Sequence, residues 1–283
     1  MKKQLTTIVL LLVFLVGLSV LLYPTVSNIW NSHTQSKVIT DYSRKISQLS
    51  DADYSAALEA ANEYNQQLLT NTDRFDPTDS DLAEYDSILN IGGDQVMGVL
   101  EIPKIGVKLP IYHGTSAAVL QVGIGHLVGS SLPVGGPSTH AVISGHTALP
   151  SAQLLTRLDE LKVGDRFIIT VLDETLTYEV DEINTVLPDD MSLLGIEPGQ
   201  DLVTLITCTP PSINTHRLLV RGRRVDNAAQ QITARVNQDA RQVDTSPVLT
   251  VLTALALVLL MLYMLVRYRD KGKGRDRNSS KRS

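Results

Sequence analysis

Cysteine is all but missing from this chain: Cys208 is the only one in 283 residues. A single thiol excludes a disulfide framework and the multi-thiolate cage of a structural zinc site. Histidine does not fill the gap, because no His pair at i, i+4 stands beside a Glu and no His-x-His occurs. No metal site is therefore expected. Clusters such as Asp159-Glu160 and Asp189-Asp190 read as solvated acidic surface. No internal repeat is visible, which excludes a solenoid or propeller. Charge is absent from two long stretches, Leu5–Tyr23 and Val248–Val266. Between them the chain is strongly acidic, since the basic residues concentrate at the two ends. An acidic body argues against nucleic acid as a partner.

Each uncharged stretch is about as long as a helix needs to be to cross a bilayer core of roughly 30 Å. Lys2 and Lys3 precede the first; eight Lys and Arg from Arg267 to Arg282, against Asp270 and Asp276, follow the second. The positive-inside rule then puts both termini in the cytoplasm and the intervening body outside. The first stretch is long for the apolar region of a signal peptide, and no A-x-A cleavage site follows it, so a retained anchor is expected.

In the body, Val38, Tyr42, Ile46 and Leu49 recur at helical spacing, as do Ala57, Ala61, Tyr64 and Leu68, with Ser50-Asp51 able to cap a second helix between them. Residues 70–81 read as a loop, and Leu82–Leu89 as a short helix. From residue 95 the pattern changes to short Val- and Ile-rich runs. Strands are expected at Val96–Ile102, Val107–Ile111, His140–Ser144, Phe167–Val171, Thr175–Val186, Leu202–Thr207 and Arg217–Val225. So many short strands suggest a mainly β, closed or nearly closed barrel. Leu154, Leu155, Leu158 and Leu161 fall at helical spacing within Ser151–Leu161, which predicts a helix across one end. Asp226–Pro247 is polar and reads as a linker.

Three residues could do chemistry together. The run Thr204–Cys208 ends in two prolines, Pro210 and Pro211, which forbid further ladder pairing. Cys208 is thus expected where a rigid strand meets a loop. A lone cysteine can equally be a small buried hydrophobe, so its neighbours decide. Arg217 opens the next strand; in a hairpin it would face Cys208, favour the thiolate and donate to an oxyanion. By itself it would read as a solvated charge. His146, in Ser144-Gly145-His146-Thr147, follows the apolar strand Ala141-Val142-Ile143 and could serve as acid and base, although with six histidines present a structural role is as ordinary.

Thr204-Leu205-Ile206-Thr207-Cys208, the later Arg217 in Asn214–Gly222, and the upstream Ser144-Gly145-His146, in this order, resemble the sortase signature. The likeness extends over about residues 95–225 and takes in Leu109-Pro110-Ile111-Tyr112 and Gly125-His126-Leu127. Two anchors and an N-terminal helical extension resemble class C, the pilin-polymerising sortases. The resemblance implies an eight-stranded sortase barrel with short helices. It implies a triad of His146, Cys208 and Arg217, with Thr207 and Ser144 in support, and no cofactor. Arg221 and Arg223 do not fall at the triad spacing. It implies a cysteine transpeptidase on the outer face of a Gram-positive cell membrane. Such an enzyme would cleave an LPxTG-like sorting signal and join the acyl product to an amine, here of a pilin lysine. A housekeeping sortase using a cell-wall amine, a thiol hydrolase and a non-enzymatic adhesion or scaffold module are the alternatives. Class C sortases carry a lid built on Asp-Pro and an aromatic residue. Here Asp76-Pro77 is followed by Thr78, while Phe75 precedes it. The resemblance then has Asp76 pairing with Arg217 and Phe75 covering Cys208. The expected division is an anchor at 1–24, a helical extension at 25–92 with the lid loop at 70–81, a barrel at 93–226, a linker at 227–246, a second span at 247–267 and a basic tail at 268–283.

Overall fold

The computed structural model describes residues 2–149, 151–227, 252–261 and 263. The chain divides into two units, Met1–Ser27 with Gln242–Ser283, and Asn28–Arg241. In the first, helix α1 (Lys2–Ile46) begins, and Leu11–Ile46 contains a stretch long and apolar enough to cross a membrane. Its apolar side chains are exposed, as a lipid-facing surface requires. Of the second expected span, the structure describes a short apolar helix, Leu252–Met261. Apart from Tyr263, the rest of that span, the linker beyond Asn227 and the basic tail lie outside the described residues.

The second unit holds the remainder of α1, then α2 (Asp51–Leu68) and α3 (Asp79–Ser87). Ser50 caps α2 by accepting from the Asp53 amide, and Thr78 and Asp81 form a reciprocal capping box on α3. The helices dock through buried polar side chains that complete the backbone of the barrel. The Tyr42 hydroxyl donates to Met97 O at 3.0 Å and accepts from Leu172 N at 2.8 Å. Asn65 donates to Leu132 O at 3.1 Å and accepts from its N–H at 2.7 Å. The Tyr85 hydroxyl accepts from Gly114 N at 3.0 Å and lies 2.9 Å from His126 Nδ1. Each group would be costly to bury unpaired, so these bonds fix where the helices sit.

The strands are β1 (Val96–Ile102), β2 (Val107–His113), β3 (Ile124–His126), β4 (Thr139–Ser144), β5 (Arg166–Val171), β6 (Glu174–Val186), β7 (Asp201–Thr209) and β8 (His216–Val225), with a short helix α4 (Ala117–Val122) before β3. They close into a barrel in the order β1-β2-β3-β4-β7-β8-β6-β5. Pairing is antiparallel except between β2 and β3 and between β4 and β7. The core is apolar, with Phe167 and Tyr178 stacked at 5.6 Å between ring centroids. A Cβ at Gly222 would come within 2.5 Å of the Phe167 ring, so that position admits only glycine without movement.

The seven strands read from the sequence are present, most of them longer by one or two residues. The eighth, β3, has only three residues, too few for alternation to show. The helix expected over Ser151–Leu161 does not form: the segment contains only a 3₁₀ turn at Leu158–Glu160. Leu154, Leu155, Leu158 and Leu161 are nonetheless all buried. Leu154 has φ +37°, which interrupts any helix, and the chain instead turns back so that Leu155 N donates to His146 O at 3.2 Å. Four leucines at helical spacing record burial here, and an irregular segment supplies it.

Candidate active site

β7 and β8 form an antiparallel hairpin in which Cys208 pairs directly with Arg217. Residues directly opposite in such a pair project to the same side. Along β7, Val203, Leu205 and Thr207 are buried toward one face, and Thr204, Ile206 and Cys208 take the other. Ile206 packs against a small apolar cluster of Val142, Leu194 and Leu219. Cys208 lies two residues beyond Ile206, and Arg217 two before Leu219, so both stand at the end of this strip on its own face. Each is half-buried.

β4 runs parallel to β7, with Ser144 beside Ile206 and Gly145 N donating to Ile206 O at 3.0 Å. Two residues further along each strand lie His146 and Cys208. The buried Thr207 hydroxyl donates to Gly145 O at 2.8 Å, tying the residue before the cysteine to the residue before the histidine. Gly145 is required there: a Cβ would sit 2.7 Å from Ile124 and 2.9 Å from Leu155. Ser144 contributes through its backbone, paired with Gly125 on β3 and Ile206 on β7. The barrel thus places Cys208 on β7, Arg217 on β8 and His146 just past the end of β4, on neighbouring segments.

Three other histidines are occupied by buried or partly buried hydrogen bonds. His126 is fully buried between Tyr85 and Ser131 O, and burial lowers its pKa to about 4. His140 is also pushed down by burial; its ring bridges Gly195 O and Thr204 Oγ1, both at 2.7 Å. His113 has a backbone carbonyl at each ring nitrogen, Gln95 O and Ile88 O. His146, half-buried, has no hydrogen bond to its ring among the described residues. The arginines divide the same way. Arg221 is enclosed by Asp181, Glu182 and Glu197. Arg217 meets no carboxylate among the described residues; its Nη1 donates to Asn214 O and His216 O at 3.3 and 3.1 Å. Arg217 and His146 thus keep polar atoms without a protein partner among the described residues.

The Sortase domain family matches residues 100–225. The chain is 50% identical to sortase C1 of Streptococcus agalactiae, covering 68% of this chain and 99% of that one, with a TM-score of 0.66. It is 43% identical to a Clostridium perfringens sortase C solved with its C-terminal cell-wall sorting motif, with the same coverage and a TM-score of 0.60. It is 34% identical to sortase D of Bacillus subtilis over 134 residues, 46% of this chain and 65% of that protein. The chain thus spans just under two-thirds of this curated relative. The chain belongs to the sortase family. Sortases are cysteine transpeptidases, and the solved neighbours named here are class C members.

The loop that this sortase lays over the strip differs from the sequence expectation. Phe75 packs on the cluster of Val142, Leu194 and Leu219, beside Leu127, Val186 and Ile206. Asp76 does not pair with Arg217: it is exposed, and its N–H donates to Asp73 O. Asp76 lies next to Phe75 in a turn, and that turn points its carboxylate to water while the ring goes inward. Pro77 lines a cavity of about 60 Å³ with Tyr64, Leu68 and Val128. The residue that sequence reasoning missed is Arg74. Its Nη2 donates to Leu194 O at 2.9 Å, and its guanidinium lies 4.5 Å from the centre of the Phe75 ring. The signal was an arginine adjoining an aromatic inside an otherwise polar loop. Gly129 (φ +83°) lets the loop approach, since a Cβ there would overlap Arg74 O.

Proposed function

We propose that this sortase cleaves an LPxTG-like sorting signal and transfers the acyl product to the side-chain amine of a pilin lysine, with Cys208, His146 and Arg217 as its catalytic residues. The observation that carries this reading is the direct pairing of Cys208 with Arg217, an arginine free of carboxylate partners among the described residues. A guanidinium next to a thiol favours the thiolate and offers planar donors to a developing oxyanion. The Cys208 thiolate attacks the Thr–Gly carbonyl, and the tetrahedral oxyanion forms against Arg217. The C–N bond then breaks as His146, as imidazolium, gives its proton to the departing glycine nitrogen. A thioester to Cys208 remains. The acceptor amine loses a proton to His146, attacks the thioester, and expels the thiolate as an isopeptide bond forms.

Class C likeness supports the pilin amine over a cell-wall amine. The match to the sortase C1 of S. agalactiae takes in 68% of this chain, more than the barrel alone, and 99% of that protein. In this reading the loop before α3 is a lid, shorter than the expected 70–81 because the helix already begins at Asp79, with Phe75 holding the place of an apolar substrate side chain. We also infer that the barrel lies outside the cell, with the N-terminal helix as anchor and both termini cytoplasmic, from the distribution of Lys and Arg. Anchoring raises the effective concentration of enzyme for substrates held in the same membrane.

The test is intact mass spectrometry of the full chain after incubation with an LPxTG peptide. A thioester adduct on Cys208, consumed faster by a lysine-bearing pilin domain than by a cell-wall peptide amine, is expected. No adduct on Cys208 would reject the nucleophile; preference for the cell-wall amine would turn the assignment to a housekeeping sortase.

A further inference from the structure

The part of α1 from Asn28 to Ile46 belongs to the unit that contains the barrel. Its less exposed face in that unit runs Asn28, Asn31, Gln35, Val38, Tyr42, Ile46, a spacing of three and four that keeps one stripe on one side. The outer half of the stripe is apolar and packs into the core. The inner half is polar, and each of its three amides is spent on backbone of the barrel unit, one on the end of α4 and two on a loop. Gln35 Nε2 donates to Val122 O at 3.1 Å. Asn31 Nδ2 donates to Ser151 O at 2.6 Å, and Asn28 Oδ1 accepts from Gln153 N at 3.1 Å.

Ser151 and Gln153 belong to the loop that leaves His146. Its near end is fastened by Leu155 N to His146 O at 3.2 Å and by Ala148 N to Thr156 Oγ1 at 3.1 Å. Leu155 also packs against Gly145, where a Cβ would meet it. The described residues of the loop form no regular secondary structure before the 3₁₀ turn that starts at Leu158. Its far end is held by the two asparagines. Asparagine is a poor helix former, and two of them one turn apart are explained by the two bonds they make. The partners also fix the amide orientations, since a carbonyl demands the NH₂ of Asn31 and an N–H demands the oxygen of Asn28.

We propose that Asn28 and Asn31 are positioning residues for transpeptidation: they hold, from the helix that enters the barrel unit, the loop that sets His146 against Cys208. This rests on the reading of His146 as acid and base given above. The imidazole must reach the leaving nitrogen and then the incoming amine, and small misplacements of such a group are expensive in rate. Ser151 and Gln153 are not among the side chains of the apolar strip next to Cys208, which are Val142, Leu194, Leu219 and their neighbours, so an apolar contact made there should be unchanged.

The experiment compares aspartate with alanine at the two positions, in the full chain reconstituted into lipid vesicles, with Cys208→Ala as control. Turnover is measured with a sorting peptide and an amine acceptor, alongside Cys208 alkylation and the thermal midpoint. Asn28→Ala and Asn31→Ala should each lower kcat roughly tenfold, with KM, alkylation rate and midpoint held. Asn28→Asp keeps an acceptor for Gln153 N and should restore kcat. Asn31→Asp, of the same charge and shape, turns an acceptor toward Ser151 O and should not. Equal kcat for the two aspartate variants, wild-type kcat in Asn31→Ala, or a loss that tracks the midpoint or KM would overturn the proposal. If Cys208→Ala is inactive while the asparagine variants keep wild-type turnover, this inference alone fails. If Cys208→Ala still turns over, the reading of the site beneath it falls as well.

Discussion

The two faces of β7 are made from alternate residues of one short sequence and do opposite work. Val203, Leu205 and Thr207 face the interior, where the barrel's own side chains close over them and exposure falls to 4% or less. Ile206 and Cys208 face a strip that is also apolar, but its cover comes from elsewhere: Phe75 from the loop before α3 and Leu194 from the connection between β6 and β7. The inner face is sealed by a closed hydrogen-bonded wall, the outer one by a few side chains on tethered segments. Because a strand alternates its side chains, a residue can be rigidly held by its neighbours' burial and still be presented on a surface that opens. Stability and chemistry are thereby separated by one position in the sequence.

Substitution on each face tests that separation. Cys208→Ala should abolish transpeptidation while leaving the thermal midpoint within a few degrees of the parent, read by product mass spectrometry and calorimetry; residual polymer formation would place the nucleophile elsewhere. Arg217→Lys keeps the charge but loses the planar donors, and should lower kcat/KM by about 10²- to 10³-fold, the range for removing an oxyanion donor. Near-parental turnover would reduce Arg217 to a spectator. On the inner face, Leu205→Ala should cost about 2–5 kcal/mol of stability through the cavity it leaves, seen as a lower urea midpoint, with kcat per folded molecule unchanged. A strong loss of kcat at full folding would show that the faces are coupled.

Protons sharpen the same contrast. His126 is buried in its neutral form, and its folded pKa, lowered to about 4 by burial, lies below the ordinary 6.5. The unfolded chain therefore binds the proton more readily. The contribution of neutral His126 is complete above about pH 6.5 and is lost as the pH falls from there toward 4, a change of up to about 3 kcal/mol. Urea unfolding of His126→Gln should show a flatter stability profile across that window. Some slope should persist, because His140 is lowered in the same direction by its own burial. An unchanged profile would mean that His126 is not the buried titrating group.

How much of this was legible follows from the range over which each feature is encoded. The runs of Val and Ile gave the strands, because alternation is local. So was the hairpin logic that paired Cys208 with Arg217: two prolines and a short turn leave few other arrangements. β3 was illegible at three residues, and the four leucines after His146 misled because burial on an irregular segment mimics helical spacing. The lid was sought at Asp76-Pro77, where the motif pointed. Of the three residues expected there, Phe75 packs on the strip while Asp76 is exposed, and Arg74, which the motif does not include, donates to Leu194 O. Asn28 and Asn31 were silent, their partners being more than a hundred positions away.

The smallest expected effect bears on the cover itself. Phe75 is only partly buried, so closure gains a fraction of the roughly 1.5–3 kcal/mol that a fully buried apolar side chain contributes. Arg74 adds one charge-assisted hydrogen bond to Leu194 O and a cation–π contact, but its guanidinium is itself partly desolvated, and that lowers its pKa. In the proposed reading of this loop as a lid, its net preference for the closed position is therefore small, and a substrate that offers an apolar side chain to Val142, Leu194 and Leu219 would displace the ring. Phe75→Ala removes the competitor without touching Cys208, His146 or Arg217. It should raise kcat/KM for a sorting peptide, and the rate of Cys208 alkylation, by about three- to tenfold, the equivalent of roughly 1 kcal/mol of lost closure. A fall in kcat/KM with alkylation unchanged would instead make Phe75 part of the wall that the sorting signal binds, and the strip would then be a site the loop completes and not one it shields.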